Sequence, residues 1–318
     1  MCHFIVGDRM MNEKISILKE NIEKRIVGKG ELTDRLIIAL LAEGHVLIED
    51  VPGMGKTSLA RALADSLDLS FSRIQCTPDT MPGDITGVSI YNSATGSFEV
   101  MTGPIMNNIV LADELNRTSP KTQAALLEAM EEGKVTIDGK DMELPGPFMV
   151  IGTQNPQEQA GTYPLPESQL DRFMMRLSVG YPKRDDAVKM AGLYLSGDLH
   201  EETKAVLTGE DILKMRDEVR KVKVNEHLVN YAVMIVEETR NDPEVSCGAS
   251  PRALLSLLRC AQAHAMYAGR DYCIPEDILS AASLTLPHRI ILTAQARMNR
   301  MSQDKVLKNI IGHIKVPA

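Results

Sequence analysis

Apolar positions recur every three to four residues through Ile15, Leu18, Ile22 and Ile26, the spacing of one helix face. This predicts a helix over residues 14–27. The same period in 32-LTDRLIIALLAEG-44 predicts a second helix, ended by Gly44. A short continuous apolar run, 45-HVLIE-49, then reads as a buried strand. Four further runs have strand length: 71-FSRIQC-76, 109-IVLA-112, 148-FMVIGT-153 and 173-FMMRLSV-179. Helical patterns separate them, at residues 58–68 and in 121-KTQAALLEAMEE-132. For the latter, Ser119 is placed to cap, Pro120 suits the first helical position, and Gly133 ends the run. Strands alternating with helices predict an α/β core built on a parallel sheet.

Two hairpins interrupt the alternation. One joins 88-VSIY-91 to 97-SFEVM-101 through a turn at 92–96; the other joins 134-KVTI-137 to 140-KDMEL-144 through Asp138 and Gly139. Asp-Gly suits a tight turn that needs positive φ at both central residues. Neither hairpin is needed to build the sheet, which marks both as insertions. From about Ala187 the pattern is helical, as in 211-DILKMRDEVRKV-222, 226-EHLVNYAVMIVEETR-240, 252-RALLSLLRCAQAHAMYAG-269 and 276-EDILSAASLTL-286. Thr208 and Asp211 form a capping pair at the first of these. The change of texture near Pro182 predicts two domains, 1–182 and 183–318.

Composition narrows the class. The chain has 318 residues, 44% hydrophobic and only 4% aromatic, so its core must rest on aliphatic side chains. A net charge of −8 argues against a general nucleic-acid-binding surface. Cys2, Cys76, Cys247, Cys260 and Cys273 form no C-x-x-C pair and no ligand spacing with histidine. They read as reduced thiols, with Cys260 and Cys273 packing as small hydrophobes. No apolar run approaches the roughly 20 residues of a membrane span. The expectation is a cytoplasmic protein.

The chemistry begins at 50-DVPGMGKTS-58. A phosphate-cradling loop reads G-x-x-x-x-G-K-[ST] between a strand and a helix. Gly55, Lys56 and Thr57 fit; the opening glycine is Asp50. Gly53 and Gly55 free the backbone to turn N–H groups onto phosphate oxygens, and the following helix adds its positive end. Lys56 is placed for the phosphates and Thr57 for Mg²⁺. Asp50 would end the strand and cap a loop N–H. At the end of 109-IVLADE-114, Asp113 would hold Mg²⁺, directly or through water, and Glu114 would polarise the attacking water. Asn155, ending 151-IGTQN-155, can orient that water. In 170-LDRFMMR-176, Arg172 can neutralise a transferring phosphoryl group, with Arg176 as the rival. In 249-ASPRALL-255, Ser250 caps and Pro251 starts a helix. Arg252 in its first turn opposes the helix dipole, so it needs an anion, either phosphate or a carboxylate.

The order of these features resembles that of the AAA+ ATPases. The segments 47-LIEDVPGMGKTSLA-60, 110-VLADELNRTSPKTQAALLEAMEEGKVT-136, 151-IGTQNPQEQAGTYPLPESQLDRF-173 and 249-ASPRALL-255 are similar to the MoxR family in particular. The resemblance spans residues 14–300. It implies a five-stranded parallel core of order 5-1-4-3-2, helices on both faces, and a C-terminal helical lid. It names the hairpins as a helix-2 insert (about 84–104) and a pre-sensor-1 hairpin (about 134–145). It implies ATP and Mg²⁺ as cofactors. Val27 and Gly28 would lie near the adenine; Pro52, Gly53, Met54, Gly55, Lys56, Thr57 and Ser58 would surround the phosphates. Arg172 would act from a neighbouring subunit, and Arg252 would connect lid to nucleotide. A homohexameric ring, a von Willebrand factor A-domain partner and a chaperone-like role in client maturation or metal-cofactor insertion also follow from the resemblance. A DNA-remodelling motor and a slow nucleotide-switched scaffold are the other readings.

Overall fold

The computed structural model describes residues 2–51, 53–155, 161–196 and 204–316. Helices α1 (Cys2–Glu23) and α2 (Gly30–Leu41) precede β1 (Val46–Glu49) and α3 (Lys56–Ser66). Strand β2 (Phe71–Gln75) leads through α4 (Pro82–Thr86) into a ribbon of β3 (Gly87–Asn92) and β4 (Ser97–Thr102). Next come β5 (Ile109–Asp113), α5 (Pro120–Glu132), a ribbon of β6 (Lys134–Ile137) and β7 (Lys140–Glu143), and β8 (Met149–Gln154). After α6 (Glu167–Leu170) and β9 (Met175–Leu177) the chain is helical: α7 (Arg184–Ser196), α8 (Gly209–Lys221) and α9 (Glu226–Asn241). A small strand β10 (Val245–Cys247) precedes α10 (Pro251–Tyr267) and α11 (Pro275–Thr285). Its partner β11 (Ile291–Leu292) precedes α12 (Ala294–Met298) and α13 (Gln303–His313).

The main sheet runs β2–β5–β8–β1–β9 with every neighbour parallel. Counting only its five strands in chain order gives 5-1-4-3-2, as expected. Alternate side chains along each strand enter different cores. Val46, Ile48, Ile109, Leu111, Met149 and Ile151 pack with α1, α2 and α3. Leu47, Val110, Ala112 and Val150 pack with Leu126 and Leu127 of α5. Both faces are therefore covered, which is why these strands read as continuous apolar runs.

The first core continues unbroken into the C-terminal helices, through Met215, Tyr231, Ile235 and Leu257. Polar ties reinforce that joint: Arg216 Nε donates to the Leu40 carbonyl at 2.9 Å, and the Tyr267 hydroxyl donates to Asp34. The lid is thus packed behind the sheet as part of one core. Cys76, Cys260 and Cys273 are buried, and burial pushes each thiol up to about 12, so they pack as hydrophobes.

The local signals hold at the caps. Ser119 Oγ accepts the Thr122 N–H at 3.4 Å, Thr208 and Asp211 cap reciprocally, and Asp138 (φ 48°) and Gly139 (φ 74°) form the hairpin turn. Three boundaries differ. Helix α1 starts at Cys2 and stops at Glu23, leaving Ile26 buried beyond its end. Strand β9 keeps only three residues, because Phe173 still bonds back to Leu170 in a turn. Helix α2 stops at Leu41, and the left-handed residue after it is Glu43 (φ 60°), not Gly44. Gly44 answers a different need: a Cβ there would lie 2.6 Å from Met174 Cβ.

Candidate functional site

Helix α3 begins at Lys56, so its first-turn N–H groups lack helical partners and face the end of the preceding loop. Gly53 (φ 83°) and Gly55 (φ 84°) hold that loop in left-handed conformations which favour glycine. A Cβ on either would meet no atom within 4 Å, so the loop leaves open space beside its backbone. That space is a cavity of about 390 Å³, bounded by residues 53–58, Arg73, Gln75, Asp113, Glu114 and Asn155, with Asp50 at its edge. Pro52 lies outside the described residues.

Lys56 Nζ donates to the Asp50 carbonyl at 2.6 Å, folding the ammonium across its own loop. Burial lowers its pKa; the charges of Asp113, Asp50 and Glu114 act the other way. The Asp50 side chain does cap a loop N–H, that of Val51 at 2.8 Å, and it also accepts the Gly180 N–H at 2.6 Å.

Strand β5 delivers Asp113 at its last position and Glu114 just beyond. Thr153 of β8 ties the two together: its hydroxyl donates to Asp113 Oδ1 at 2.6 Å and accepts the Glu114 N–H at 2.9 Å. Glu114 itself is left-handed (φ 57°, ψ 47°), a costly conformation for a residue with a Cβ. Such backbone outliers concentrate where a side chain must be aimed. Gln75 donates to Glu114 Oε2 at 3.0 Å, and Arg117 approaches the same oxygen at 3.1 Å. Arg73 pairs with Asp113 Oδ2 at 2.6 Å. Asn155 is buried at the cavity wall. Arg73, Gln75 and Thr153 were not singled out by motif. The available signal was the polar alternation of β2 around Ile74, since Gln75 pairs in register with Asp113.

A second cavity, about 200 Å³, adjoins the first through Gly53, Met54, Gly55 and Ser58. Val27, Ile26, Gly180, Pro182 and Met190 make its walls largely apolar, as a purine base requires. Val27 is one of its wall residues. Gly28 does not line this cavity; its left-handed φ of 73° lets the chain pass beneath the Asp186 carboxylate, where a Cβ would collide.

The arginines lie elsewhere. Arg172 and Arg252 do not reach the cavity of their own chain. Both pair with Glu131, at 3.1 and 2.8 Å. Glu131 is in the last turn of α5, beside Met130, whose carbonyl bonds to His45 at the start of β1. The first turn of α5 is near the acidic end of β5, so the helix carries Glu131 roughly 17 Å from there, to the end of the sheet where the strands begin. The anion that Arg252 meets is thus a carboxylate, and its side chain does not line the cavity of its own chain. Asp171 fastens the two arginine segments together: it accepts the Ser250 hydroxyl at 3.0 Å and pairs with Arg289 at 2.9 Å. Arg176 is committed to Glu49 at 3.5 Å and to Gln303.

Two left-handed glycines without side chains, a helix N-terminus, an ammonium and two carboxylates converge on one cavity, with an apolar cavity adjoining. That set fits a nucleoside triphosphate with a divalent cation. Among the described residues no group of three His, Cys, Asp or Glu side chains could hold a metal alone, so a cation here depends on phosphate oxygens as well. Fold and site define an ATPase of the AAA class. Residues 45–175 match the model of the ATPase family associated with various cellular activities, and residues 237–310 match the AAA lid domain. The chain is 49% identical to the uncharacterized protein YeaC of Bacillus subtilis, over 94% of this chain and 93% of that one. It is 39% identical to Chaperone MoxR1 of Mycobacterium tuberculosis, over 93% and 80%. A crystal structure of a candidate ATPase from Cytophaga hutchinsonii superposes with a TM-score of 0.92, 38% identity, and coverage of 98% and 97%. The chain belongs to the MoxR family of AAA+ ATPases.

Proposed function

We propose that this ATPase works as a homohexameric ring in which each nucleotide site is completed by arginines of the neighbouring subunit, and that hydrolysis drives chaperone-like remodelling of a client protein. The observation that carries the ring is the placement of Arg172 and Arg252: they are joined through Glu131, towards the end of the sheet where the strands begin and remote from their own phosphate loop. A paired cation surface with no phosphate of its own is what a heterologous, ring-closing contact would use.

Within one site the roles divide by position. Bound Mg²⁺–ATP supplies the anhydride to be cleaved. Lys56 neutralises phosphate charge, and Thr57 and Asp113 are the protein's ligands for Mg²⁺. Glu114 holds the attacking water and accepts its proton, with Gln75 fixing the carboxylate. Asn155 orients that water. The relative named Chaperone MoxR1 supports the client-remodelling role. The exposed Ile90, Tyr91, Phe98 and Met101 of the β3–β4 ribbon suit contact with a client or a von Willebrand factor A-domain partner. In this reading residues 1–182 are the core, carrying the helix-2 insert and the pre-sensor-1 hairpin, and 183–318 the lid. The setting is cytoplasmic; among the described residues no helix is long and apolar enough to cross a membrane.

The test mixes two inactive variants. Arg172→Ala is expected to keep ATP affinity and lose hydrolysis, and Lys56→Ala to lose ATP binding. Mixed, they restore activity at interfaces that pair an intact loop with an intact arginine. Mixed rings verified by native mass spectrometry that show no recovery at any ratio would refute action between subunits.

A further inference from the structure

The residue that breaks the phosphate-loop pattern has work that a glycine could not do. Both carboxylate oxygens of Asp50 are engaged: Oδ1 by the Val51 N–H at 2.8 Å, Oδ2 by the Gly180 N–H at 2.6 Å and the Ser178 hydroxyl at 3.1 Å. Burial pushes this carboxyl up, but these donors outweigh it and hold its pKa below the ordinary value. The anion beside the phosphate loop is therefore spent on protein donors. Gly180 is left-handed (φ 62°) and belongs to the segment leading from β9 to α7. That segment is also held by Lys29, itself a wall residue of the apolar cavity, whose ammonium donates to the carbonyls of Val179 at 2.8 Å and Gly180 at 2.6 Å. Gly180 and Pro182 form one wall of the apolar cavity; Val27 and Met54 form others.

We propose that Asp50 is a positioning residue for the nucleotide base: it ties the phosphate loop to the 178–182 segment, so that the triphosphate and base halves of the site are held at a fixed spacing. The hold of Lys29 on the carbonyls of the same segment completes the tie. This role rests on nucleotide binding at the loop and is independent of the ring. It makes the contribution of Asp50 conditional on the ligand having a base. A ligand of phosphates and Mg²⁺ alone needs residues 53–58 and Asp113, and the loop keeps its conformation through left-handed glycines and the start of α3.

The experiment measures binding by titration calorimetry on the full chain with two probes, Mg²⁺–ATP and inorganic tripolyphosphate with Mg²⁺. Asp50→Ala is expected to weaken ATP roughly tenfold, the scale of one lost charge-assisted hydrogen bond, and tripolyphosphate by less than about twofold. Asp50→Asn keeps an acceptor for the Gly180 N–H and should recover ATP binding to within about threefold of the unsubstituted chain. In steady state the loss falls on KM more than on kcat. Ser178→Ala, which removes a second donor to the Asp50 carboxylate and leaves the cavity walls unchanged, should show the same base-dependent loss on a smaller scale and decides the matter if Asp50→Ala does not fold. Equal weakening of both probes would overturn the proposal, since Asp50 would then act through the phosphate loop alone. Unchanged ATP affinity in both variants would overturn it as well. An unsubstituted chain that binds neither probe would instead refute nucleotide binding at this loop, and this role with it.

Discussion

His288 sets an acid limit on the joint between core and lid. Its ring is 4% exposed, and Nε2 donates to the Phe173 carbonyl at 2.9 Å. Burial lowers its pKa from 6.5 to about 3, with the charges of Arg289 and Arg176 adding to the effect. The folded chain therefore keeps this ring neutral where the unfolded chain protonates it. Between those two values the unfolded state binds more protons, so stability falls as pH drops below about 6.5 and is full above it. At pH 5 the unfolded pKa limits the loss, to about 1.5 units or about 2 kcal/mol from this one group. That is a substantial part of a typical unfolding free energy of about 5–15 kcal/mol. His45, lowered to about 4 mainly by burial, adds a loss of the same sign.

The perturbation is His288→Gln, whose amide can still donate to Phe173 but does not titrate. Because the chain has no Trp, unfolding by urea is best followed by far-UV circular dichroism, at pH 7.5 and pH 5. The variant is expected to be less stable at the higher pH, through imperfect packing. Its loss on acidification should nevertheless be smaller than that of the unsubstituted chain by about 2 kcal/mol. The same loss in both proteins would refute the assignment of a neutral, buried His288.

Two further outcomes follow from geometry. Gly44→Ala places a Cβ against Met174 Cβ at 2.6 Å, a clash that side-chain rotation cannot relieve; a cost of about 1–3 kcal/mol, read as a lower Tm, is expected, and an unchanged Tm would show that this approach is not tight. Chelating divalent cations with EDTA is expected to stop hydrolysis and added Mg²⁺ to restore it, whereas undiminished turnover in EDTA would remove the cation role from Thr57 and Asp113.

The parts of this molecule that could be read from its sequence are those set by local physics. Strand runs, helix caps and the Asp138-Gly139 turn depend on neighbours within a few residues, and each appears in the structure. The loop at Gly53–Lys56 and the acids at Asp113 and Glu114 are legible for the same reason, as each is fixed by one strand end. What escaped is contact between distant segments. Nothing near Asp50 announces Gly180, and nothing near Arg172 or Arg252 announces that both rest on Glu131. Gly44 looked like a helix stop because glycine often is one; its real constraint comes from Met174, across the sheet edge. Gln75 and Arg73 lie on the polar side of β2, and only the parallel pairing of β2 with β5 brings them to the acids.

The unbroken core also changes how motion should be pictured. With Met215, Tyr231 and Leu257 packed into the same cluster as α1–α3, a lid that swings freely over its own nucleotide would expose a large apolar surface. The ties from Arg289 and Ser250 to Asp171 hold the lid to the arginine segment as well. In the proposed ring, the unit that responds to a neighbour's nucleotide is then core and lid together.

Everything proposed for the site depends on Glu114, at the cavity wall with a left-handed backbone, serving as the base for hydrolysis. The most direct measurement compares ATP affinity and single-turnover hydrolysis in Glu114→Gln and the unsubstituted chain. The variant is expected to keep ATP affinity within about threefold and to hydrolyse at least about a hundredfold more slowly, the scale of a lost general base. Hydrolysis at the unsubstituted rate in Glu114→Gln would contradict that role.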